Sequence, residues 1–364
     1  MSMTAKPLSE FVRLLNLKAR KLDNLKALCA SYQSSGLYTH VYAACGFLDA
    51  DKNTAEFTLA PENRDVFDLS SLTKALVTAP LVLWRALSQG MDVKAARISQ
   101  LFGEETVDEV GALGLDLSVA AYLRHETGLP PWRNYYVLCE GHRQSAKQVL
   151  ARARNLTVGR DIYSDVGFIT LGKLLETSSG KSLLSEWRER LQTNGICAEN
   201  FIGGSAEISK DRMISTGYCP VRGRELIGEV HDENCWALGG YSGHSGLFAT
   251  GDAVSSYLRA LWQSKEGRAV FQANFAMAQS TGESLMGWRK GRDDSSKTFA
   301  SGRGCGHLGF TGTAFWVDPV TSSYAVVLTN RIISARISPA IKEFRAEAFR
   351  ILWEQNQKSP QAAQ

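Results

Sequence analysis

The sequence predicts an α/β (α+β) fold. One antiparallel sheet is built from both termini and flanked by helices, with a mainly helical region inserted between its halves. Three observations carry this. Strand patterns occur early, at residues 41–48 and 54–59, and return late, at 308–317 and 323–329. Helical patterns lie outside them, at 8–33 and 341–353. Residues 90–260 show no long alternating strand and read as helix and loop.

The elements follow in order. Leu8, Phe11, Leu14, Leu15, Leu22, Leu25 and Leu28 recur at helical spacing. A turn over 49–53 joins the first two strands, since Asp, Lys and Asn cluster there. A short strand at 66–69 feeds an apolar helix running to Leu87, and Pro80 inside it predicts a kink or local break. Further helices are expected at 144–153, 167–177, 181–192 and 252–264. Residues 125–132 and the glycine-rich 239–246 read as loops, and 292–297 as a mobile one. Asp318-Pro319 turns the chain between the two late strands. The whole is expected to form a single unit, 1–364. Its sheet region is 1–89 plus 265–355, its helical region 90–264, and its flexible tail 356–364.

Composition narrows the function. The 364 residues are 44% hydrophobic and 21% charged, an ordinary globular balance. A net charge of +4, dispersed along the chain, does not mark a nucleic-acid binder. No stretch approaches the roughly 18 apolar residues of a membrane span. The N-terminus lacks an uninterrupted apolar core of signal-peptide type. A cytoplasmic protein is the default expectation, and a periplasmic one if a signal has been trimmed. The seven cysteines are scattered, with no Cys-x-x-Cys pair, so reduced and mostly buried thiols are expected. His125, His231 and His244 read as braces for loops. No two histidines have zinc-ligand spacing, and no metal is expected.

Three patches carry chemistry. In Ser71-Leu72-Thr73-Lys74, a serine and a lysine stand three residues apart at a helix start. They share one face, an amine beside a hydroxyl nucleophile. The positive helix N-terminus favours a developing alkoxide and opposes protonation of the lysine. The second patch is Tyr163-Ser164-Asp165, followed by Gly167-Phe168 and Leu171-Gly172. The third is His307-Leu308-Gly309, at the start of a predicted strand. Two other motifs fail. Gly180-Lys181-Ser182 lacks the upstream glycine of a phosphate loop, where Leu175 stands. Gly243-His244-Ser245-Gly246 lacks the closing glycine of a nucleophile elbow, where Leu247 stands.

Taken in order, the three patches resemble the Ser-x-x-Lys, Tyr-x-Asn and Lys-Thr-Gly elements of the serine β-lactamase and penicillin-binding-protein superfamily. The match is closest to class C β-lactamase-like hydrolases and esterases. It spans about residues 35–350, including 123–131, which resembles a loop ending in Ser-Gly-Leu-Pro, and 306–319, which resembles the sheet-edge strand. The resemblance implies that Ser71 is the acylated nucleophile and that Lys74 shares its proton. Tyr163 would be general base and later acid. Backbone N–H groups of Ser71 and Phe310 would form the oxyanion hole, and Gly309 would leave room for substrate backbone.

Two positions depart from that pattern. Asp165 replaces asparagine, and a carboxylate accepts where an amide also donates. It is expected to pair with Lys74 and keep it protonated, leaving Tyr163 as the working base. His307 replaces lysine. Neutral imidazole holds a carboxylate poorly, so β-lactam turnover is expected to be weak and to improve below a pKa of about 6.5. The implied activity is hydrolysis of small esters, or of amides and peptides carrying D-amino acids, without a cofactor. Two other functions fit the same residues: a binding module that has lost turnover, and an acyl transferase or transpeptidase that passes the acyl group to an amine.

Overall fold

The computed structural model describes residues 8–49, 57–59, 65–138, 145–156, 162–195, 201–202, 210–277, 284–291, 303–334 and 338–357. The turn at 50–53, the loop at 292–297 and the tail beyond 357 lie outside them.

The chain opens with α1 (Leu8–Ser34) and strands β1 (Val41–Phe47), β2 (Phe57–Leu59) and β3 (Phe67–Asp68). A π-helical turn (Lys74–Thr78) runs into α2 (Ala79–Ser88). Then come α3 (Ile98–Phe102), α4 (Glu104–Val110), α5 (Val119–Leu123), α6 (Ala146–Ala153), α7 (Asp165–Ser179) and α8 (Leu183–Thr193). Short strands β4 (Phe201–Ile202), β5 (Ser215–Cys219) and β6 (Arg224–Ile227) precede α9 (Glu233–Ala237) and β7 (Phe248–Ala249). The chain closes with α10 (Gly251–Gln263), α11 (Lys265–Met277), β8 (Arg289–Lys290), β9 (Cys305–Leu308), β10 (Ala314–Asp318), β11 (Ser323–Thr329) and α12 (Ala340–Gln357).

Both ends of the chain meet in one antiparallel sheet of order β2-β1-β11-β10-β9-β8. Its centre is the long ladder from Val41↔Thr329 to Phe47↔Ser323. Every residue of β1 and β11 is buried, because both faces of the sheet are covered. Val41, Ala43, Cys45, Trp316, Ala325 and Val327 pack with α1 and α12 on one face. Tyr42, Ala44, Phe315, Tyr324 and Val326 join the larger core that includes α2, α7 and α10 on the other. Alternation of side chains thus divides two cores, not core from water.

The expected late strand at 308–317 is two strands, β9 and β10, joined by a tight turn. Gly309 N–H donates to Thr313 O at 2.7 Å, and Gly312 turns the chain at φ 111°. The short strand expected at 66–69 is β3, but its partners β7 and β4 and the β5-β6 hairpin were not expected in the helical region. These strands of two to five residues are too short to show a period in sequence.

Pro80 acts as expected, and the chain compensates. It lies in the first turn of α2, behind the π-helical segment in which Ala79 N–H bonds Lys74 O. Proline has no N–H to offer the carbonyls behind it. Trp288 Nε1 donates to Ala75 O at 3.2 Å, while Trp187 Nε1 and Tyr257 Oη donate to Leu76 O at 3.0 and 2.7 Å. Loss of Trp288 Nε1 takes the indole donor from Ala75 O, and loss of Tyr257 Oη leaves Leu76 O with Trp187 Nε1 alone of its two side-chain donors. Tyr257→Phe and Trp288→Phe are each expected to cost about 1–3 kcal/mol in urea denaturation. Unchanged midpoints in both would show that the helix does not need these donors.

Candidate active site

The nucleophile turn starts from β3. Ser70 is left-handed at φ 48°, a strained conformation for a residue with a Cβ. Its N–H donates to Asp68 Oδ1 at 2.8 Å, and Thr73 Oγ1 donates to its carbonyl at 2.7 Å. Asp68 Oδ2 also accepts from His231 N at 2.7 Å. Burial raises the Asp68 carboxyl to about 6, against the pull of these two amides. Helical structure begins at Leu72, so half-buried Ser71 stands at the mouth of the helix.

Lys74 lies one turn further, fully buried. Its Nζ donates to Ser71 Oγ at 2.9 Å and to His244 O at 3.0 Å, and lies 2.6 Å from Asp165 Oδ1. Burial alone would discharge the ammonium. The Asp165 and Tyr163 groups outweigh it and raise the lysine above its ordinary value. The expected pairing of Asp165 with Lys74 is therefore present. It also acts against the positive helix N-terminus, which disfavours an ammonium there. Asp165 is itself the first residue of α7, capped by Ser164, where a helix N-terminus favours an anion.

The loop at 242–247 closes the site from behind. Besides His244 O, Gly243 O accepts from Thr78 Oγ1 at 2.7 Å, and Leu247 N donates to Thr73 Oγ1 at 3.1 Å. His244 Nε2 meets Asp232 Oδ1 at 2.9 Å and anchors the loop. Sequence flagged this segment as a loop but gave no sign that it supplies an acceptor for Lys74.

Tyr163 packs between imidazoles, its ring 4.4 Å from His125 and 6.1 Å from His307 between centroids. Lys74 Nζ stands 5.1 Å from the ring centroid, and Arg289 Cζ 5.6 Å. His125 braces this segment through Ser164, with 3.1 Å between Nδ1 and the Ser164 backbone. Burial, then the charge of Lys74, lowers the His125 imidazole to about 3. Arg289 is a site residue that sequence reasoning missed. It lies on β8, opposite Gly306, and only sheet pairing brings it beside His307.

His307 corrects an expectation. It is 1% exposed, and its Nδ1 lies 2.9 Å from Leu308 O. A carbonyl only accepts, so Nδ1 carries the proton and Nε2 is the lone pair. Burial, then Lys74 and Arg289, hold the imidazole well below its ordinary 6.5. This works against the expected gain of cationic character just below neutral pH.

Gly309 has a structural reason of its own. A Cβ there would meet Thr313 Oγ1 at 2.0 Å and Leu69 O at 2.8 Å. On its Cβ side the glycine serves the contact between two turns. Phe310 N–H does reach the nucleophile turn, where it donates to Ser70 Oγ at 3.3 Å.

Among the described residues, no cluster of His, Cys, Asp or Glu could hold a metal ion. No described helix is long and apolar enough to cross a membrane. Five cysteines, Cys29, Cys45, Cys219, Cys235 and Cys305, are buried thiols, while Cys139 and Cys197 lie outside the described residues.

A sheet closed by both termini, with a serine and a buried lysine at the mouth of a central helix, defines a β-lactamase/transpeptidase-type fold. Residues 38–348 match the family described as Beta-lactamase, and the chain belongs to that family. It is 27% identical over 320 residues to the N-acetylmuramyl-L-alanine amidase of Bacillus subtilis (strain 168), covering 76% of this chain and 70% of that one. It is 27% identical over 301 residues to a putative D-alanyl-D-alanine carboxypeptidase of Escherichia coli (strain K12), covering 73% and 69%. A class C beta-lactamase in complex with cefoxitin shares the fold at TM-score 0.65 and 14% identity, covering 93% of this chain and 99% of that one. The D-amino acid amidase from Ochrobactrum anthropi SV3 shares it at 0.63 and 16%, with the same coverage. Amidase, carboxypeptidase and β-lactamase are all hydrolases.

Two predictions follow from these charges. Asp165→Asn leaves Lys74 buried without its counter-ion. Removing one partner of a buried pair costs about 3–5 kcal/mol. Because the folded lysine is raised, its contribution is present below its free value and is lost only as pH rises through the higher folded one. The loss should therefore appear across pH 5–9 in urea denaturation, with the ionisation governing acylation moved to lower pH. A folded variant with wild-type acylation rate and pH profile would sink the pairing argument. For His307, kcat/KM should show no inflection near pH 6.5 that vanishes in His307→Gln; finding one would restore the cationic role.

Proposed function

We propose that this protein is a serine hydrolase that works through an acyl-enzyme on Ser71. One observation carries this reading: Lys74 Nζ lies 2.9 Å from Ser71 Oγ and 2.6 Å from Asp165 Oδ1, a carboxylate that favours the ammonium form. A charged lysine cannot take the serine proton. It orients the hydroxyl and stabilises negative charge on it, and Tyr163 is the base.

The steps balance. Ser71 Oγ attacks the acyl carbon and its proton passes to Tyr163, which takes part as the phenolate beside the Lys74 ammonium and becomes the neutral phenol. The carbonyl oxygen takes negative charge against the N–H groups of Ser71 and Phe310. The bond to the leaving amine or alcohol breaks, and Tyr163 returns the proton to it. Water then repeats the cycle and frees Ser71. No cofactor enters this chemistry.

Small amides and peptides carrying D-amino acids, or the corresponding esters, are the proposed substrates. The names of the amidase and carboxypeptidase relatives support the amide and peptide class. Neutral His307 supplies no charge for a substrate carboxylate. Arg289, beside the Tyr163 ring, is the cation at that edge of the site. Those substrates that end in a carboxylate are proposed to have it held by Arg289.

Intact-protein mass after a fluorophosphonate tests the nucleophile. One adduct is expected on wild type and none on folded Ser71→Ala. No adduct on folded wild type would turn the reading towards a binding module without turnover. Arg289→Gln should raise KM about tenfold to a hundredfold for a D-alanyl-D-alanine dipeptide, and little for its C-terminal amide, since hydrogen bonds to charged groups contribute about 1.5–3 kcal/mol. Equal effects on both would remove the carboxylate role.

A further inference from the structure

The Gly309–Phe310 peptide is held from both sides. Its carbonyl, Gly309 O, accepts from Arg345 Nη2 at 2.9 Å. In a trans peptide the N–H points away from the carbonyl. Phe310 N–H accordingly faces the nucleophile turn, where Ser70 Oγ accepts it at 3.3 Å. The same Arg345 Nη2 reaches Thr313 O at 2.9 Å, which in turn accepts Gly309 N–H at 2.7 Å. Arg331 Nε fixes the next peptide through Phe310 O at 2.9 Å. Thr311 Oγ1 and Thr313 Oγ1 tie the turn to Asp68 O and Leu69 O at 2.7 and 3.1 Å.

Arg345 is unusual in this set. It comes from α12, only 8% exposed, on the face of the sheet that carries no nucleophile. Charge is not needed to satisfy two carbonyls, since neutral donors suffice. A guanidinium places positive charge behind the Thr313 carbonyl and behind the Gly309–Phe310 peptide, and hydrogen-bonded groups polarise one another in a low-dielectric interior. The N–H at the other end of that peptide becomes a stronger donor.

We propose that Arg345 is a positioning residue for the oxyanion hole. It sets the direction of Phe310 N–H and strengthens it, so the C-terminal helix contributes to acylation without touching substrate. In the resting protein Ser70 Oγ occupies the donor; the substrate carbonyl displaces it as charge develops. This rests on Ser71 being the acylated nucleophile.

The experiment compares wild type, Arg345→Lys and Arg345→Gln by steady-state kinetics, fluorophosphonate labelling and the amide ¹⁵N–¹H signal of Phe310. Arg345→Gln should lower kcat about tenfold to a hundredfold with KM within about twofold, a fraction of the loss for deleting an oxyanion donor. The Phe310 amide proton should move upfield as its donor strength falls. Arg345→Lys keeps the charge but not the fork, and should fall between the two. If Arg345→Gln does not fold, the lysine variant carries the test by the same split. A folded variant with wild-type kcat and an unmoved Phe310 signal overturns the proposal. Absence of a Ser71 adduct on wild type would overturn the parent reading alone, because the Phe310 signal still reports whether Arg345 polarises that peptide.

Discussion

The site is organised around one buried charge. Lys74 has no exposed surface, and an ammonium in that position persists only if the protein surrounds it with acceptors. Asp165 comes from the start of α7, His244 O from the loop before β7, and Ser71 from the turn before the helix. Three segments distant in sequence are thus fixed relative to one another by the needs of a single side chain. The π-helical segment carrying Lys74 belongs to the same compromise, with Pro80 behind it and indole and phenol donors covering the carbonyls that proline cannot serve.

The second constraint is the sheet. Pairing β1 with β11 brings the two ends of the chain together and buries both faces. Helices α1 and α12 cover one face, and the helical region covers the other. Because β9 lies two strands from β11, the turn at 309–313 comes to rest against the nucleophile turn. Arg331 and Arg345 then hold that turn from behind. The sheet positions a peptide bond, and the arginines orient it.

Electrostatics separates this chain from a simple reading of its motifs. Histidine at position 307 suggests a group that titrates near neutrality. In the folded chain burial disfavours its cation, and the charges of Lys74 and Arg289 add to that effect. A positive charge at that edge comes instead from Arg289 on the neighbouring strand. Position 309 shows the same gap between motif and structure. Its glycine is needed because Thr313 and Leu69 occupy the space a side chain would fill.

Local signals were legible in the sequence. Ser71 and Lys74 share a face because the helical repeat puts i and i+3 together, and Pro80 must disturb the helix it interrupts. The strands from both termini and the long helices α1, α7, α10 and α12 also showed in periodicity, whereas the pairing of Asp165 with Lys74 was expected only through the family resemblance. Tertiary structure alone decided what depends on distance through space. It split the late strand at Gly312, whose φ of 111° turns the chain on itself. It formed strands too short to have a period. It placed Arg289 and Arg345, residues with no motif, where sheet pairing and helix docking bring their charges to the site. A pattern in sequence records what neighbours along the chain require of one another. The field at a buried atom is summed over groups that only folding brings near.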